Sequence, residues 1–199
     1  MMNYKAIGLC GSARSGKDTF YSITKQYLAN MSIHSERISF ADALKTDVKD
    51  FLLDKVGIDS FTEINEEKEL IRDFLVAYGT KLVRKVNKNH WINSIQKPAM
   101  NLIDSGKVPV ITDVRYANEL EWVQKELNGI VIYIDRVGNS PANEEEANND
   151  PILREGADLK FSWLDFRGEQ ATKEEKASVH SLLEACFIKH SKFGFLDEQ

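Results

Sequence analysis

Lys5–Thr19, which reads KAIGLCGSARSGKDT, joins a short apolar run to a glycine-rich loop and the start of a helix-compatible segment. Glycines let a backbone wrap closely around phosphate oxygens, successive N–H groups point inward, and a helix N-terminus adds positive potential. The order of strand, loop and helix is that of a Walker A phosphate-binding loop. The predicted phosphate-binding residues are Gly11, Ser12, Ala13, Arg14, Ser15, Gly16, Lys17, Asp18 and Thr19.

Two residues of this loop carry most of the predicted chemistry. Lys17 is expected to reach the β- and γ-phosphates of a nucleotide. Asp18 stands where a Walker A loop normally places Ser or Thr, and its carboxylate can still hold Mg²⁺ directly or through water. Thr19 is then available to a phosphate nearer the nucleoside. The alternative is a glycine turn with an incidental lysine and a capping aspartate, and the position of the loop directly after the first strand argues against it.

Short apolar runs alternate with amphipathic segments along much of the remaining chain. The predicted strands after the first cover residues 37–40, 108–112, 129–134 and 159–163, and the predicted helices cover 18–29, about 44–52, 118–127 and a last segment opened by a Thr172-x-x-Glu175 capping box. Strands that are apolar throughout are typical of parallel sheets buried on both faces. We therefore expect an α/β, three-layer P-loop NTPase sandwich with a mostly parallel central sheet, and with ligands at the carboxyl ends of its strands.

Two stretches interrupt this alternation. Residues 66–103 have a helical pattern throughout, with breaks expected near Gly79 and at Pro98, so we predict a helical insertion of about 41–105. Residues 138–151 are polar, acidic and rich in Asn, Pro and Glu, which predicts a mobile surface loop and a closing lid of about 137–156. The run Glu144–Glu146 is expected to be solvated.

Composition restricts the class of protein further. The 199 residues are 42% hydrophobic and 29% charged, as in one compact domain, and we treat residues 1–199 as a single domain. A net charge of −5 gives no overall attraction to polymeric nucleic acid or acidic membranes. No apolar run approaches the roughly 20 residues that cross a bilayer, and no signal peptide is evident, so a cytoplasmic location is expected. Cys10 and Cys186 are interpreted as small buried hydrophobic residues.

A second pair of polar residues follows an internal apolar run. Asp113 and Arg115 come after Val110–Thr112 and are expected at the sheet edge where the glycine-rich loop also lies. Asp113 could orient metal-bound waters or an attacking phosphate oxygen, while Arg115 could hold an acceptor phosphate through two hydrogen bonds. The alternative is a helix cap beside a surface arginine.

The chain resembles bacteriophage deoxynucleoside monophosphate kinases in its G-x-x-x-S-G-K-D-T motif and in the D-x-R motif that follows an internal strand. The likeness continues through Phe40-Ala41-Asp42-x-x-Lys45, Arg72, Gly79-Thr80 and Trp91 to Asp113-x-Arg115-x-x-x-Glu119. It implies that the helical insertion binds the acceptor, and it implies acceptor-side or catalytic roles for Lys45, Arg72, Thr80, Trp91, Asp113, Arg115 and Glu119. From the residues alone, Trp91 is either a stacking surface for a base or a core residue. Lys45 and Arg72 alone would be solvated surface charges.

The same resemblance extends to the predicted lid. Arg136 and Arg154 are similar to the lid arginines of such kinases, which close over the transferred phosphate. The chain departs from the family pattern at Glu144–Glu146, where a histidine and a serine often precede one glutamate, and at Trp163-Leu164-Asp165, where an Asn-Asp-Gly turn is usual.

The predicted activity is transfer of the γ-phosphoryl group from Mg²⁺-bound ATP to a deoxynucleoside monophosphate. Catalytic roles are expected for Lys17, Asp113 and Arg115, with Asp18 at the metal. The expected partners are ATP and that acceptor, without polymeric nucleic acid or membrane, in the host cytoplasm if the chain is phage-encoded, and a homodimer stays open. One alternative is a phosphomevalonate kinase, because animal versions share the G-x-x-x-S-G-K-D spelling and a D-T-R strand end. Another is a regulatory module that binds nucleotide without an acceptor pocket.

Overall fold

The computed structural model describes residues 4–163 and 171–189, and the chain divides into two compact units. The first unit combines the chain up to Ile38 with the chain from Pro98 onward, and the second spans Ser39–Lys97. The second unit overlaps the helical insertion that the sequence predicts. The helices are α1 Lys17–Asn30, α2 Phe40–Val56, α3 Asn65–Val76, α4 His90–Asp104, α5 Ala117–Glu121, α6 Glu144–Gly156 and α7 Lys173–Lys189, with π-helical continuations of α3 and α5 over Ala77–Arg84 and Trp122–Glu126.

The first unit is built on a five-stranded parallel sheet. Its strands are β1 Ile7–Cys10, β2 Ser35–Ile38, β3 Val108–Val114, β4 Ile130–Arg136 and β5 Leu159–Trp163. They lie side by side in the order β2-β3-β1-β4-β5, which puts β1 at the centre. The chain passes to one side of β1 for β2 and β3 and to the other side for β4 and β5. The glycine-rich loop after β1 therefore begins where the strand order reverses, which is the usual ligand position in such sheets.

Helices cover both faces of this sheet. On one face, Phe20 of α1 and Val179 of α7 are fully buried in a cluster with alternate residues of the strands, such as Leu9. On the other face, Gly8 of β1 lies so close to Val123 that an added Cβ would be 3.2 Å from the valine side chain. The predicted three-layer sandwich is thereby confirmed.

Helix caps explain two of the boundaries. At α7, Thr172 N–H donates to Glu175 Oε2 at 2.7 Å and Glu175 N–H donates to Thr172 Oγ1 at 3.2 Å, as the predicted capping box requires. At α2, Asp42 N–H donates to Ser39 Oγ at 3.3 Å. The strand predicted for residues 37–40 therefore ends at Ile38, and Phe40 already belongs to the helix.

The helical breaks predicted near Gly79 and at Pro98 are both wrong. Gly79 lies inside a π-helical segment, where Trp91 Nε1–H donates to its carbonyl at 3.1 Å and a Cβ would lie 2.9 Å from Leu44. The glycine is there because neighbouring side chains approach its backbone. Pro98 lies within α4, which continues to Asp104. Buried residues at helical spacing on either side, Ile95 and Ala99 among them, favour a continuous helix over the local preference of proline.

The loop predicted for residues 138–151 is also wrong over most of its length, because α6 begins at Glu144. Asn143 caps this helix by accepting a hydrogen bond from Glu146 N–H at 2.9 Å. The acidic first turn suits the positive end of the helix dipole. Beyond Pro151, the helix is fixed by Arg154, whose guanidinium lies 3.0 Å from the Asp135 carboxylate at the end of β4.

The second unit has its own small core. Val48, Leu52, Ile58 and Ile71 are buried together, and the rings of Phe74 and Tyr78 pack against them. Within this unit Phe51, Phe74 and Tyr78 form consecutive stacked pairs.

In the first unit, Cys10 is buried in β1, and burial raises the pKa of its thiol to about 12, as expected of a structural cysteine. The side chain of Cys186 lies outside the described part of the chain.

Across residues 4–163 and 171–189, no helix is long and apolar enough to cross a bilayer.

Candidate active site

The glycine-rich loop between β1 and α1 requires glycine at two positions. Gly11 has a φ of +126°, and an added Cβ would lie 2.1 Å from the backbone oxygen of Ile134. Gly16 has a φ of +86°, and its Cβ would lie 2.6 Å from Nε1 of Trp163. Side chains at either position would displace backbone or a buried ring, so the loop can pass this close to β4 and β5 only with glycines. The Trp163 ring is 1% exposed and packs against the loop at Gly16. It was not among the predicted site residues.

Lys17 is held against the loop by the loop's own oxygens. Its ammonium donates to the carbonyl of Gly11 at 2.8 Å, to that of Ser12 at 2.6 Å and to Ser15 Oγ at 3.3 Å. Burial lowers the pKa of Lys17, the positive charge of Arg115 lowers it further, and the carboxylates of Glu146 and Asp18 oppose the shift. The lysine is therefore at the loop, as predicted, with its charge partly desolvated.

The neighbours of Lys17 are more accessible. Asp18 is exposed in the first turn of α1, Thr19 is half-buried, and Arg14 is exposed with a φ of +61°. Within the described ranges there is no group of three His, Cys, Asp or Glu side chains that could hold a metal ion by itself.

The end of β3 supplies the second part of the site. β3 extends to Val114, two residues beyond its predicted end, and its pairing with β1 shifts register between Gly8 and Cys10. Such irregularities re-aim side chains at a strand end. The half-buried Asp113 is consequently inside the strand, while Arg115 follows it with 57% of its side chain exposed.

Glu119 fixes the backbone that carries Arg115. Its side chain is buried, and one carboxylate oxygen accepts hydrogen bonds from the N–H groups of Arg115 at 2.8 Å and Tyr116 at 3.2 Å. The family resemblance implied an acceptor-side or catalytic role for Glu119. Its geometry is that of a positioning residue, because the carboxylate orients the Arg115 turn.

Glu146 connects the two parts of the site, although it was expected to be solvated. One of its carboxylate oxygens accepts from Ala13 N–H in the glycine-rich loop at 3.1 Å, and the other lies 3.7 Å from Nη1 of Arg115. Only 13% of the side chain is exposed. The solvated interpretation is wrong for this residue because the fold brings the first turn of α6 onto the loop. The capping pattern Asn143-x-x-Glu146 was a signal in the sequence for the helix start, though not for this contact.

The segment 139–146, which we call the strap, crosses the glycine-rich loop at a second point. Asn139 Nδ2 donates to Ser12 Oγ at 2.9 Å and to the carbonyl of Ala13 at 2.8 Å. At the start of α6, Tyr116 donates its hydroxyl hydrogen to Glu145. The strap therefore contacts both the loop and the turn that carries Arg115.

The predicted lid arginines differ in their surroundings. Arg136 is the half-buried last residue of β4. Arg154 in α6 is bound to Asp135 at 3.0 Å and to the Tyr133 hydroxyl at 3.1 Å, and its guanidinium lies 4.6 Å from the Tyr133 ring centre. In this structure Arg154 fixes α6 to β4, and a role on phosphate would require these contacts to open.

The remaining predicted acceptor residues belong to the second unit. Lys45 is half-buried, with its ammonium 5.4 Å from the centre of the Phe61 ring. Arg72 is exposed and forms an ion pair with Glu69 at 2.8 Å, and Thr80 is half-buried in the π-helical segment. Trp91 is 4% exposed and its indole N–H is bound to Gly79. Of the two interpretations of Trp91, the structure therefore favours the core residue over the stacking surface.

The central β1 strand, the glycine-rich loop that follows it and the lysine at the start of α1 together define a P-loop protein, the class that binds nucleotide phosphates. The sequence profile of the deoxynucleotide monophosphate kinase family matches residues 21–156, which is more than half of the chain. The chain therefore belongs to that family. A comparison with curated protein sequences finds no significant match.

Two solved structures of other kinases are similar to this chain. A dephospho-CoA kinase from Campylobacter jejuni is 15% identical, with 92% of this chain and 97% of that chain covered and a TM-score of 0.51. A shikimate kinase from Aquifex aeolicus is 15% identical over 92% and 98% of the two chains, with a TM-score of 0.48. At these identities the first likeness supports the fold alone, and the second carries no further weight.

Proposed function

We propose that this kinase transfers the γ-phosphoryl group of ATP to the phosphate of a deoxynucleoside monophosphate. An acceptor phosphate oxygen would form a bond to the γ-phosphorus as the bond from that phosphorus to the ADP oxygen breaks, which gives ADP and a deoxynucleoside diphosphate. Family membership over residues 21–156 favours this acceptor class. One structural observation supports the geometry, namely that the single carboxylate of Glu146 spans Ala13 N–H and Arg115.

The contacts of Glu146 show how far the loop amides lie from Arg115. A phosphate group is similar in size to a carboxylate, so a group held by the loop amides would also lie within reach of the Arg115 guanidinium. Lys17 and the loop amides would stabilise charge on the β- and γ-phosphates. Arg115 would hold the acceptor phosphate or the transferred group through its planar fork. Glu119 would keep Arg115 in place, and Asp113 would orient the attacking oxygen or metal-bound water.

Mg²⁺ fits this site as an ion carried mainly by phosphates. Mg²⁺ commonly binds one or two carboxylates together with substrate phosphates and water, and the exposed Asp18 beside Lys17 offers one carboxylate. The ion would neutralise charge that develops on the phosphate oxygens. Lys45, Arg72 and Thr80 are proposed acceptor contacts in the second unit, and Arg136 is proposed to complete the site when substrate is bound.

Replacing Asp18 by asparagine tests the metal role. The asparagine keeps a side chain that can cap the helix but removes the negative charge, so the Mg²⁺ concentration for half-maximal turnover should rise about tenfold. Steady-state rates are measured over a Mg²⁺ titration at saturating ATP, with Asp50→Asn in exposed α2 surface as the matched control. Unchanged metal dependence would remove Asp18 from the metal site.

The acceptor is tested by a coupled assay for ADP release. The four common deoxynucleoside monophosphates, the corresponding ribonucleotides and phosphomevalonate are supplied at equal concentration. We expect at least one deoxynucleoside monophosphate to give the highest kcat/KM, with rejection of the ribonucleotide on the order of a hundredfold if steric fit alone decides.

Two results of this assay would contradict the proposal. Turnover of phosphomevalonate alone would assign the protein to the alternative kinase that the loop spelling allows. If no monophosphate raises ADP release above the rate without acceptor, the proposal that the acceptor is a nucleoside monophosphate is wrong. A chelator added to the active mixture is the control for metal-dependent transfer.

A further inference from the structure

An acidic side chain lies on the loop that is built for phosphate. Backbone N–H groups of a P-loop attract anions, and the Glu146 carboxylate accepts a hydrogen bond from one of them, that of Ala13, at 3.1 Å. The same oxygen accepts from Ala142 N–H at 3.0 Å, and the second oxygen lies 3.7 Å from Arg115. Two of these partners, Ala13 N–H and the Arg115 guanidinium, would suit a phosphate oxygen, whereas Ala142 belongs to the strap itself.

The electrostatics of Glu146 agree with this geometry. Burial alone would raise the pKa of the carboxyl, but hydrogen bonds from Ala142 and Ala13 and the charges of Arg115 and Lys17 outweigh it and lower the pKa. The side chain is therefore a carboxylate at neutral pH, with positive groups facing it from the loop and from the end of β3. A nucleotide phosphate at the same amides would add negative charge where Glu146 already supplies it, and the two anions would repel each other.

A second contact secures the strap in this arrangement. Asn139 Nδ2 binds Ser12 Oγ and the carbonyl of Ala13, so both ends of residues 139–146 are attached to the same part of the loop. Neither contact uses a residue of the second unit. The strap, the loop and Arg115 therefore form a closed arrangement that is complete within the first unit.

From this geometry we infer that Glu146 is an internal competitor of the nucleotide phosphates, and that the strap must leave the loop before ATP or ADP can bind. The inference depends on the proposed function only in that a nucleotide uses the glycine-rich loop. A protein whose binding-competent state is only partly populated binds its ligand more weakly by that fraction. Charge-assisted contacts of this kind keep the open fraction small, so removal of Glu146 should strengthen nucleotide binding by about tenfold.

The test measures ADP affinity by isothermal titration calorimetry, without acceptor, so that binding is separated from turnover. Glu146→Ala should lower the Kd for ADP by about tenfold. Glu146→Gln keeps an oxygen for Ala13 N–H but loses the charge that attracts Arg115. Its Kd for ADP should lie between those of the unmodified protein and Glu146→Ala. Glu144→Ala is the matched control, because Glu144 is an exposed carboxylate in the same helical turn. Its Kd should stay within about twofold of the unmodified protein.

Hydrogen exchange at the Ala13 amide, followed by NMR in the nucleotide-free protein, gives a second readout. The amide should exchange faster in Glu146→Ala than in the unmodified protein and Glu144→Ala, because its acceptor has been removed. This measurement shows whether Glu146 covers the Ala13 amide in the nucleotide-free protein, which a general effect of charge on ADP would not change.

Each outcome bears on the inference. Equal or weaker ADP binding by Glu146→Ala would overturn it and would make Glu146 a residue that supports the bound nucleotide. The unmodified protein could turn over a deoxynucleoside monophosphate while removal of Glu146 gives no gain in ADP affinity. That result would overturn the inference that the strap competes with nucleotide, and it would leave the proposed function intact. Tighter ADP binding by Glu146→Ala, with no turnover of any acceptor, would support competition by the strap and count against a deoxynucleoside monophosphate as the acceptor.

Discussion

Phosphoryl transfer is expected to fall by at least about a hundredfold when Lys17 is replaced by methionine, because a positive charge aimed at the transferred phosphates is lost. Methionine retains a long unbranched stem in the same space. The ammonium that it replaces is held by Gly11, Ser12 and Ser15, and its burial carries a desolvation cost that lowers the pKa of Lys17. The effect on folding stability should therefore be small.

The measurement is kcat with saturating ATP and acceptor, together with the thermal unfolding midpoint of each variant. Lys25→Met, on the exposed side of the same helix, is the matched control and should retain full activity. Turnover by Lys17→Met within a few-fold of the unmodified protein, at an unchanged unfolding midpoint, would show that the lysine does not act on the phosphates. A large loss of stability would instead assign Lys17 a structural role in the loop.

Replacing Arg115 by alanine is expected to lower kcat/KM for the acceptor by about a hundredfold, since a two-pronged contact to a phosphate is lost. Arg115→Lys keeps the charge but lacks the planar fork, so it should recover only part of the activity. Arg37→Ala, an exposed arginine of β2, serves as the control for loss of a positive charge.

The experiment must be run at saturating ATP, because Arg115 has a second role in the nucleotide-free protein. Its guanidinium faces Glu146 at 3.7 Å, so its removal also weakens the strap and should strengthen ADP binding. The two roles predict opposite effects on the two substrates. If Arg115→Ala changes only nucleotide affinity and leaves acceptor kinetics unchanged, Arg115 holds the strap and does not bind the acceptor.

Positions decided by short-range interactions were predicted well from the sequence. The Walker A spacing placed the glycine-rich loop between β1 and α1, with Lys17 opening the helix, because the positive φ angles of Gly11 and Gly16 are a local property of glycine. The capping box at Thr172 was likewise correct, and so were the buried strands β3 and β4 apart from two residues at their carboxyl ends. In each case the deciding interactions lie within a few residues, or follow from burial of a strand on both faces.

The tertiary structure decided what distant residues do to one another. Trp91 could be a stacking face or a core residue on its local sequence, and only its packing in the second unit, with its N–H on Gly79, makes it core. Pro98 and Pro151 remain inside helices because buried or ion-paired neighbours on both sides outweigh a missing backbone N–H. Local preferences of about a few kcal/mol are smaller than the sum of such contacts.

Glu146 shows the same division most clearly. The sequence predicted a solvated acidic run at Glu144–Glu146 and a glycine-rich loop that attracts anions. More than a hundred residues separate them, so no local pattern could show that the carboxylate of one would lie on an amide of the other. That contact depends on the strand order, which sets β4 and its following helix beside β1, and on the attraction of an acidic group to a loop amide and to the nearby positive charges of Arg115 and Lys17.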